Sequence, residues 1–467
     1  MKVILKDLGI LKHAEFEVGD LTVICGANNT GKTYATYALY GFLAFWNESF
    51  FHNFLEEGDL EKLMRQGSVT IGLEGIKEVA FNIIDIACEE YTQNLPMVFG
   101  AGRKHYSTSS FKVFLDGVDF DKIDRKVQTK GPDGRILCEI GKVGDEALLS
   151  INITANADEV STINKDWFLY QINRDIQCIL FGKTFPEPFI ASIERTGAAM
   201  FQKELDIYRN RLLEHVSNRE KDINSFELLN VFSNGISDGR YALPVRRDVD
   251  FIRDLENEAK RESVIAENNR DILMCFDVLA GGEYKSTREG VYYTPDKSKV
   301  KLTMGESASS VRSLLNLGMY IRHCAKPGDF LMIDEPELNL HPKNQRLMAR
   351  LLAKMVNAGI RVFITTHSDY ILKEFNALIM MKNAGSNASH IMEKHGYEEN
   401  ELLDATRVKA YIAKKELMKI EGQSKRQKFN TLIKAPIGFQ GIEVTEFDDT
   451  INIMNEVQEE LLLIEEA

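Results

Sequence analysis

Apolar and polar positions along this chain sort into short strand-like runs separated by helical stretches. Residues 3–5 and 21–25 are apolar runs of strand length, and residues 14–18 between them alternate as a half-exposed strand does. Helical spacing predicts a helix over 32–46 and further helices over 50–65 and 76–93. Residues 111–153 hold short alternating runs broken by Gly and Asp, which predicts an antiparallel sheet. Two long charged stretches, 197–218 and 249–279, also read as helical. Neither keeps apolar residues at both heptad core positions for several heptads, which argues against a long coiled-coil arm. Strand-like text returns over 283–304, then a helix over 307–323. Residues 330–334 and 361–365 read as buried strands, with a helix over 343–358 between them and another starting over 369–374. The tail beyond Asn383 is mixed, and 445–464 reads as an acidic helix.

Composition narrows the class only a little. A chain of 467 residues has room for two or three domains, and 44% apolar with 27% charged residues is ordinary for a globular protein. No apolar run approaches the roughly 18 residues of a membrane span, and residues 38–46 come nearest. The opening MKVILKDLGI lacks a long apolar core and a small-residue cleavage site, so it reads as a first strand and not as a secretory leader. Cys25, Cys88, Cys138, Cys178, Cys275 and Cys324 are scattered without metal or redox spacing, as expected of free thiols in the cytoplasm. The formal charge of −13 argues against a protein that coats DNA by itself.

The chemistry enters at GANNTGKT. Gly26, Ala27, Asn28, Asn29, Thr30, Gly31, Lys32 and Thr33 fit G-x-x-x-x-G-K-[ST], between an apolar strand and a helical pattern. In that context glycines let backbone N–H groups wrap a phosphate, and the helix N-terminus adds partial positive charge. Lys32 is then placed for the β- and γ-phosphates of ATP, and Thr33 for Mg²⁺.

A second constellation lies far along the chain. The apolar run Phe330, Leu331, Met332, Ile333 ends in Asp334 and Glu335. Acid at the end of a buried strand is costly unless it meets a cation. Asp334 is the candidate to share Mg²⁺ with Thr33. Glu335, one residue on, is expected to point the other way from the strand and act as the base that positions an attacking water. The run 362–366 ends in His367, a candidate γ-phosphate sensor. His341 reads equally as a functional or a turn residue.

These motifs resemble the Walker A, Walker B with D-loop, and switch histidine of ABC-type ATPases. They are most similar to the branch holding the SMC and RecF heads and the OLD (overcoming lysogenization defect) proteins. The carriers are GANNTGKT, FLMIDEPELNLHP and FITTHSDYIL, with FIASIERTGAAMFQKEL (189–205) and GGEYKSTREGVYY (281–293) pointing to standalone OLD-like ATPases. The resemblance spans most of the chain and is weak over about 50–180. It implies an α/β P-loop head with a mixed sheet, split by an insert of about 250 residues. The expected divisions are 1–50 with the Walker A loop, 51–180 as a mixed continuation, 181–280 as a helical insert, 281–385 as the second half of the head, and 386–467 as a tail. It also implies a signature sequence over 308–314, where Ser309 or Ser310 binds ATP held by a second subunit; the usual glycines after the serine are missing. The other reading of these serines is a helix cap at Ser307 or Ser309. Glu194 and Arg195 are candidates for the Q-loop region, against a surface salt-bridge turn.

What the resemblance implies about function is an ATP-hydrolysing sensor or scaffold, dimeric or larger, that controls a separate effector, as in bacterial anti-phage systems. OLD nucleases add a metal-binding domain with Asp-x-Asp; here Asp448 and Asp449 are adjacent and read as a helix start, so no nuclease activity is expected of the chain alone. The alternative is a DNA-repair or chromosome-associated ATPase that binds DNA. Its candidate basic spots are residues 103–105, Arg246 with Arg247, and Lys414 with Lys415 and 425–428, each of which reads otherwise as a solvated face. A transporter subunit, which needs a membrane partner, fits the motifs less well.

Overall fold

The computed structural model describes residues 1–55, 57–117, 120, 126–131, 134–142, 147–154, 164–201, 241–287, 290–419, 426–444 and 453–458. The chain divides into two compact units. The smaller comprises Met1–Val3, Gly41–Asn94 and Phe111–Pro188. Its sheet joins Ser68–Gly72, Leu148–Ile153, Ile136–Lys142 and Lys126–Lys130, antiparallel throughout. Its core is aromatic: Phe42 stacks on Phe111 at 4.9 Å and Trp46 lies 4.6 Å from Phe185. The expected sheet over 111–153 is present with a difference, because Ser68–Gly72 supplies its fourth strand and Ser110–Phe114 does not join it.

The larger unit, Ile4–Tyr40, Leu95–Ser110 and Phe189–Ala467, carries the site. Its strands are β1 (Lys2–Leu8), β2 (Leu11–Glu17), β3 (Leu21–Cys25), β4 (Pro188–Ala191), β5 (Phe330–Asp334), β6 (Arg361–Thr366), β7 (Val408–Met418) and β8 (Gln427–Lys434). They run in the order β1-β2-β8-β7-β3-β6-β5-β4. The α/β architecture with a mixed sheet is therefore as expected. β3, β5 and β6 are buried almost end to end, which is why they read as unbroken apolar runs and why they pair in parallel beneath helices. Register aligns their carboxyl ends. Cys25 faces Thr366, Asp334 faces Thr365, and Ile412 of β7 faces Cys25. The segments that follow these strands thus leave the sheet side by side, the place where open parallel sheets bind ligands.

Helices α1 (Lys32–Glu48), α2 (Ser309–His323), α3 (Pro342–Asn357) and α4 (Asp369–Ala384) follow the strand–helix alternation read from the sequence. Elsewhere the pattern misled. The stretch 249–279 is three helices, Leu243–Glu258, Val264–Asn268 and Arg270–Ala280: the first closes at Ala259, and Ser263 caps the start of the second. Its hydroxyl accepts from Ala266 N at 2.9 Å and donates to Ile321 O at 2.6 Å. The helix expected from residue 50 starts at Glu57, and the one expected over 76–93 spans Leu73–Val98. The expected helix over 197–218 lies outside the described residues beyond 201, as do Asp448 and Asp449; of the acidic tail helix, 453–458 are described and helical.

The tail departs most from expectation. Residues read as mixed supply β7 and β8, and β7 sits beside β3 in the middle of the sheet. Gly26, the residue after β3, has a φ of +136°. A Cβ there would lie 2.4 Å from the Ala413 carbonyl oxygen of β7. Both the backbone conformation and the close approach demand glycine. Gly26→Ala is expected to lower unfolding stability by about 2 kcal/mol or more, read as the shift of a urea-denaturation midpoint; an unchanged midpoint would mean that β7 is not seated there.

Candidate functional site

The loop between β3 and α1 turns on two glycines and one asparagine. Gly31 has a φ of +106°, and a Cβ on it would meet the Leu11 side chain at 2.5 Å. Asn29 is left-handed at +59°, and the Thr30 hydroxyl donates to Ala27 O at 2.8 Å. Lys32 opens α1, and its ammonium donates to Gly26 O and Ala27 O, each at 2.9 Å. Burial lowers its pKa, against the opposing pull of Glu335 and Asp334. Ala27, Asn28 and Asn29 are exposed. A cleft of about 390 Å³ lies against this loop, lined by residues 28–34 with Ile10, Ile193, Glu335 and His367. The structure therefore brings together segments some three hundred residues apart in the chain.

Asp334 closes β5 and is only 1% exposed. One carboxylate oxygen accepts from the Thr365 hydroxyl of β6, while Oδ2 is buried with no hydrogen-bond partner among the described residues. Burial pushes its pKa up to about 6, and the Thr365 and Thr33 hydroxyls act in the other direction. An orphaned buried carboxylate oxygen close to a threonine hydroxyl is a poor resting place for a bare charge and a suitable donor pair for a hard divalent cation. These residues therefore fit Mg²⁺.

Glu335 was expected to point away from Asp334 by strand alternation. The structure gives a different cause: the strand has ended, and Glu335 is left-handed with a φ of +53°. Its N–H donates to Thr365 O at 3.1 Å. Its carboxylate lies 3.2 Å from His367 Nδ1. Burial raises the Glu335 pKa, but the hydrogen bond and charge of His367, with Lys32 and Arg195, outweigh it and leave the group below its ordinary value. The hydrogen bond to Glu335 raises His367 in turn, with burial opposing.

Glu337 was missed by the sequence reading. It is buried, and its Oε1 accepts from the Thr366 hydroxyl and the His367 N–H, both at 2.8 Å. It anchors the turn that presents His367. The acid was visible in the same run as Asp334 and Glu335, two residues beyond the pair.

Arg195 was set against a surface salt-bridge turn. The structure buries it instead, at 2% exposure. Its guanidinium donates to four carbonyls: Ser192 O, Asp334 O and Glu335 O at 2.7 Å, and Ser313 O of α2 at 2.9 Å. It holds the left-handed turn after β5 from behind and ties it to α2. Asp248 lies in the same buried network, accepting from Ser192 N at 3.0 Å and Asn316 Nδ2 at 2.6 Å. Burial raises its pKa to about 7. Glu194 accepts from the Tyr37 hydroxyl at 3.0 Å. Among Tyr37, Asp248 and Asn316, no local motif marks a role.

Ser309 and Ser310 open α2 and do not line the cleft of their own chain. Ala308 is the N-cap, with no side-chain cap bond, and the Ser307 hydroxyl donates to Thr303 O instead, so neither Ser307 nor Ser309 caps the helix. His341 is a turn residue: it is the N-cap of α3, with Nδ1 accepting from Lys343 N at 3.3 Å.

Residues 247–372 match the family model of an AAA ATPase domain, AAA_15. This segment holds β5, β6, α2 and α3 but not the loop 26–33. No curated protein matches the chain. Among solved structures it is similar to the Smc head domain of Pyrococcus furiosus, crystallised with an extended coiled coil and the C-terminal domain of ScpA, at 12% identity, covering 98% of each chain with a TM-score of 0.31. It is also similar to the SMC head domain from Thermotoga maritima, at 11% identity, covering 93% of this chain and 98% of that one with a TM-score of 0.27. Among the described residues no helix is long and apolar enough to cross a membrane.

Two measurements check this geometry. The His367 ring is expected to titrate by NMR above its ordinary 6.5, and Glu335→Gln is expected to bring the midpoint down. The sign follows from linkage: a histidine raised in the folded state stabilises fully below its unfolded pKa and loses that contribution as pH rises through the folded value. A midpoint indifferent to Glu335→Gln contradicts the contact. Arg195→Met leaves four buried carbonyls short of a donor, and is expected to cost about 3 kcal/mol or more in chemical denaturation; a loss below about 1 kcal/mol would be too small for such a network.

Proposed function

We propose that this protein binds ATP with Mg²⁺ and hydrolyses it. The observation that carries the reading is the single cleft in which Lys32, Glu335 and His367 face one phosphate-binding loop, with the orphaned Asp334 carboxylate oxygen beside Thr33. The N–H groups of residues 26–33 and Lys32 bind the phosphates. Thr33 and Asp334 would hold Mg²⁺, which when bound would supply charge neutralisation. Glu335, ionised and held by His367, orients the attacking water and takes its proton, and His367 reports the γ-phosphate. The AAA ATPase match over 247–372 supports the activity.

In the finer reading, Ser309 and Ser310 of one subunit complete the site of another in a dimer, and turnover controls a separate effector in anti-phage defence. The sequence resemblance to OLD-like ATPases supports that part. Glu335→Gln is expected to retain ATP affinity while turnover falls about 10²- to 10⁴-fold, and Lys32→Ala to lose binding. Normal turnover by Glu335→Gln would remove the base assignment. Strong metal-dependent DNA cleavage by the purified chain alone would overturn the effector reading.

A further inference from the structure

Asp248, on the helix Leu243–Glu258, is a fully buried carboxylate that does not line the nucleotide cleft. Its Oδ2 accepts from Ser192 N at 3.0 Å and its Oδ1 from Asn316 Nδ2 at 2.6 Å. Both donors lead to Arg195. Ser192 turns its carbonyl to that guanidinium at 2.7 Å, so one residue is held by Asp248 at its N–H and by Arg195 at its oxygen. Asn316 lies one turn beyond Ser313 on α2, and Ser313 O accepts from Arg195 Nε at 2.9 Å. Asp248 and Arg195 are therefore joined twice, through Ser192 and through one turn of α2.

The arrangement answers a charge problem. The guanidinium of Arg195 gives its hydrogen bonds to neutral carbonyls. A buried cation needs an opposite charge as well as acceptors. Of the carboxylates that act on Arg195, Asp248 acts most strongly, ahead of Asp334, Glu337 and Glu335. Asp334 and Glu335 belong to the nucleotide site, and Glu337 is engaged with Thr366 and His367. Asp248 is left as the counter-charge of Arg195. Asn316 shows the same bias. Its amide nitrogen serves Asp248 while its Oδ1 is buried without a partner among the described residues. An amide turned this way supports the ionised carboxylate, which accepts and cannot donate.

We propose, resting on the ATPase reading, that Asp248 is a positioning residue for hydrolysis: it fixes Arg195, which in turn fixes the turn that aims Glu335. The need is geometric. Glu335 is left-handed, a conformation that a residue with a Cβ keeps only under constraint. Its N–H is held by Thr365 O, and Arg195 holds the Asp334 and Glu335 carbonyls, each at 2.7 Å. A shift of about 1 Å in such a group is enough to cost about a hundredfold in rate. Asp248 touches no reacting atom, so nucleotide binding by the loop 26–33 is left intact by its loss. A purely structural role, seating the helix Leu243–Glu258 on α2, would lower stability without moving Glu335.

The first readout uses the full-length chain without nucleotide. The His367 ring titration, followed by NMR, reports whether the Glu335 carboxylate stands 3.2 Å from Nδ1. The groups that act most on this ring are Glu335, Glu337 and Lys32, and Asp248 is not among them. Asp248→Asn is expected to lower the midpoint by at least half as much as Glu335→Gln does. In the Glu335→Gln background it is expected to lower it no further, because its effect runs through Glu335. The second readout is turnover: Asp248→Asn is expected to lower kcat about 10- to 100-fold with KM within about threefold of the parent. Should Asp248→Asn fail to fold by circular dichroism, Asn316→Ala decides. It removes a single donor and is expected to lower the His367 midpoint and to lower kcat about threefold at unchanged KM. A midpoint equal to the parent's, a further fall in the Glu335→Gln background, or a raised KM with unchanged kcat would each overturn the proposal. A parent chain without turnover would remove the ATPase reading, while a falling midpoint would still support Asp248 as the residue that places Glu335.

Discussion

The constraint on which the rest of the structure depends is a carboxylate at the end of a buried strand. Asp334 is inside the protein, with one oxygen satisfied by Thr365 and Oδ2 without a geometric hydrogen-bond partner among the described residues, next to the Thr33 hydroxyl. Such a group is tolerated only where a compensating charge or ligand is part of the design. The parallel register of β3, β6 and β5 delivers it beside the loop 26–33, because the matched strand ends bring the following segments together. The cleft therefore arises from sheet register, and the residues around it adjust to that placement.

Those adjustments are mostly backbone devices. Glu335 reaches His367 because the chain turns left-handed immediately after the strand, a conformation unfavourable for a residue with a Cβ. Arg195 supports it by capping the Asp334 and Glu335 carbonyls, and the same guanidinium caps Ser313 O on α2. One buried cation thus links the turn carrying Glu335 to the helix whose first turn holds Ser309 and Ser310. Glu337 does the equivalent for His367 from the other side.

The loop 26–33 depends in turn on a strand from the far end of the chain. β7 lies against Gly26, and Leu11 of β2 lies against Gly31, so both glycines are set by packing as well as by turn geometry. The same strand then leaves the sheet as a basic arm. A structural role at its start and a charged, exposed stretch beyond it coexist because β3 ends where the loop begins, and past that point β7 pairs, among the described residues, with β8 alone.

Read by itself, the chain determined the strand-to-loop-to-helix setting of residues 26–33, the buried strands that end in Asp334 and Thr366, and the α/β alternation between them. Each is a local pattern of apolar runs and turn residues, and local patterns survive in one dimension. Only the tertiary structure decided that Arg195 is buried, that Asp248 and Asn316 join it, that Glu335 escapes strand alternation, and that the tail enters the sheet beside β3. The physical reason is common to all four. A charge placed among distant carbonyls, or an alternating strand inserted between distant partners, owes its place to contacts that no neighbour in sequence announces.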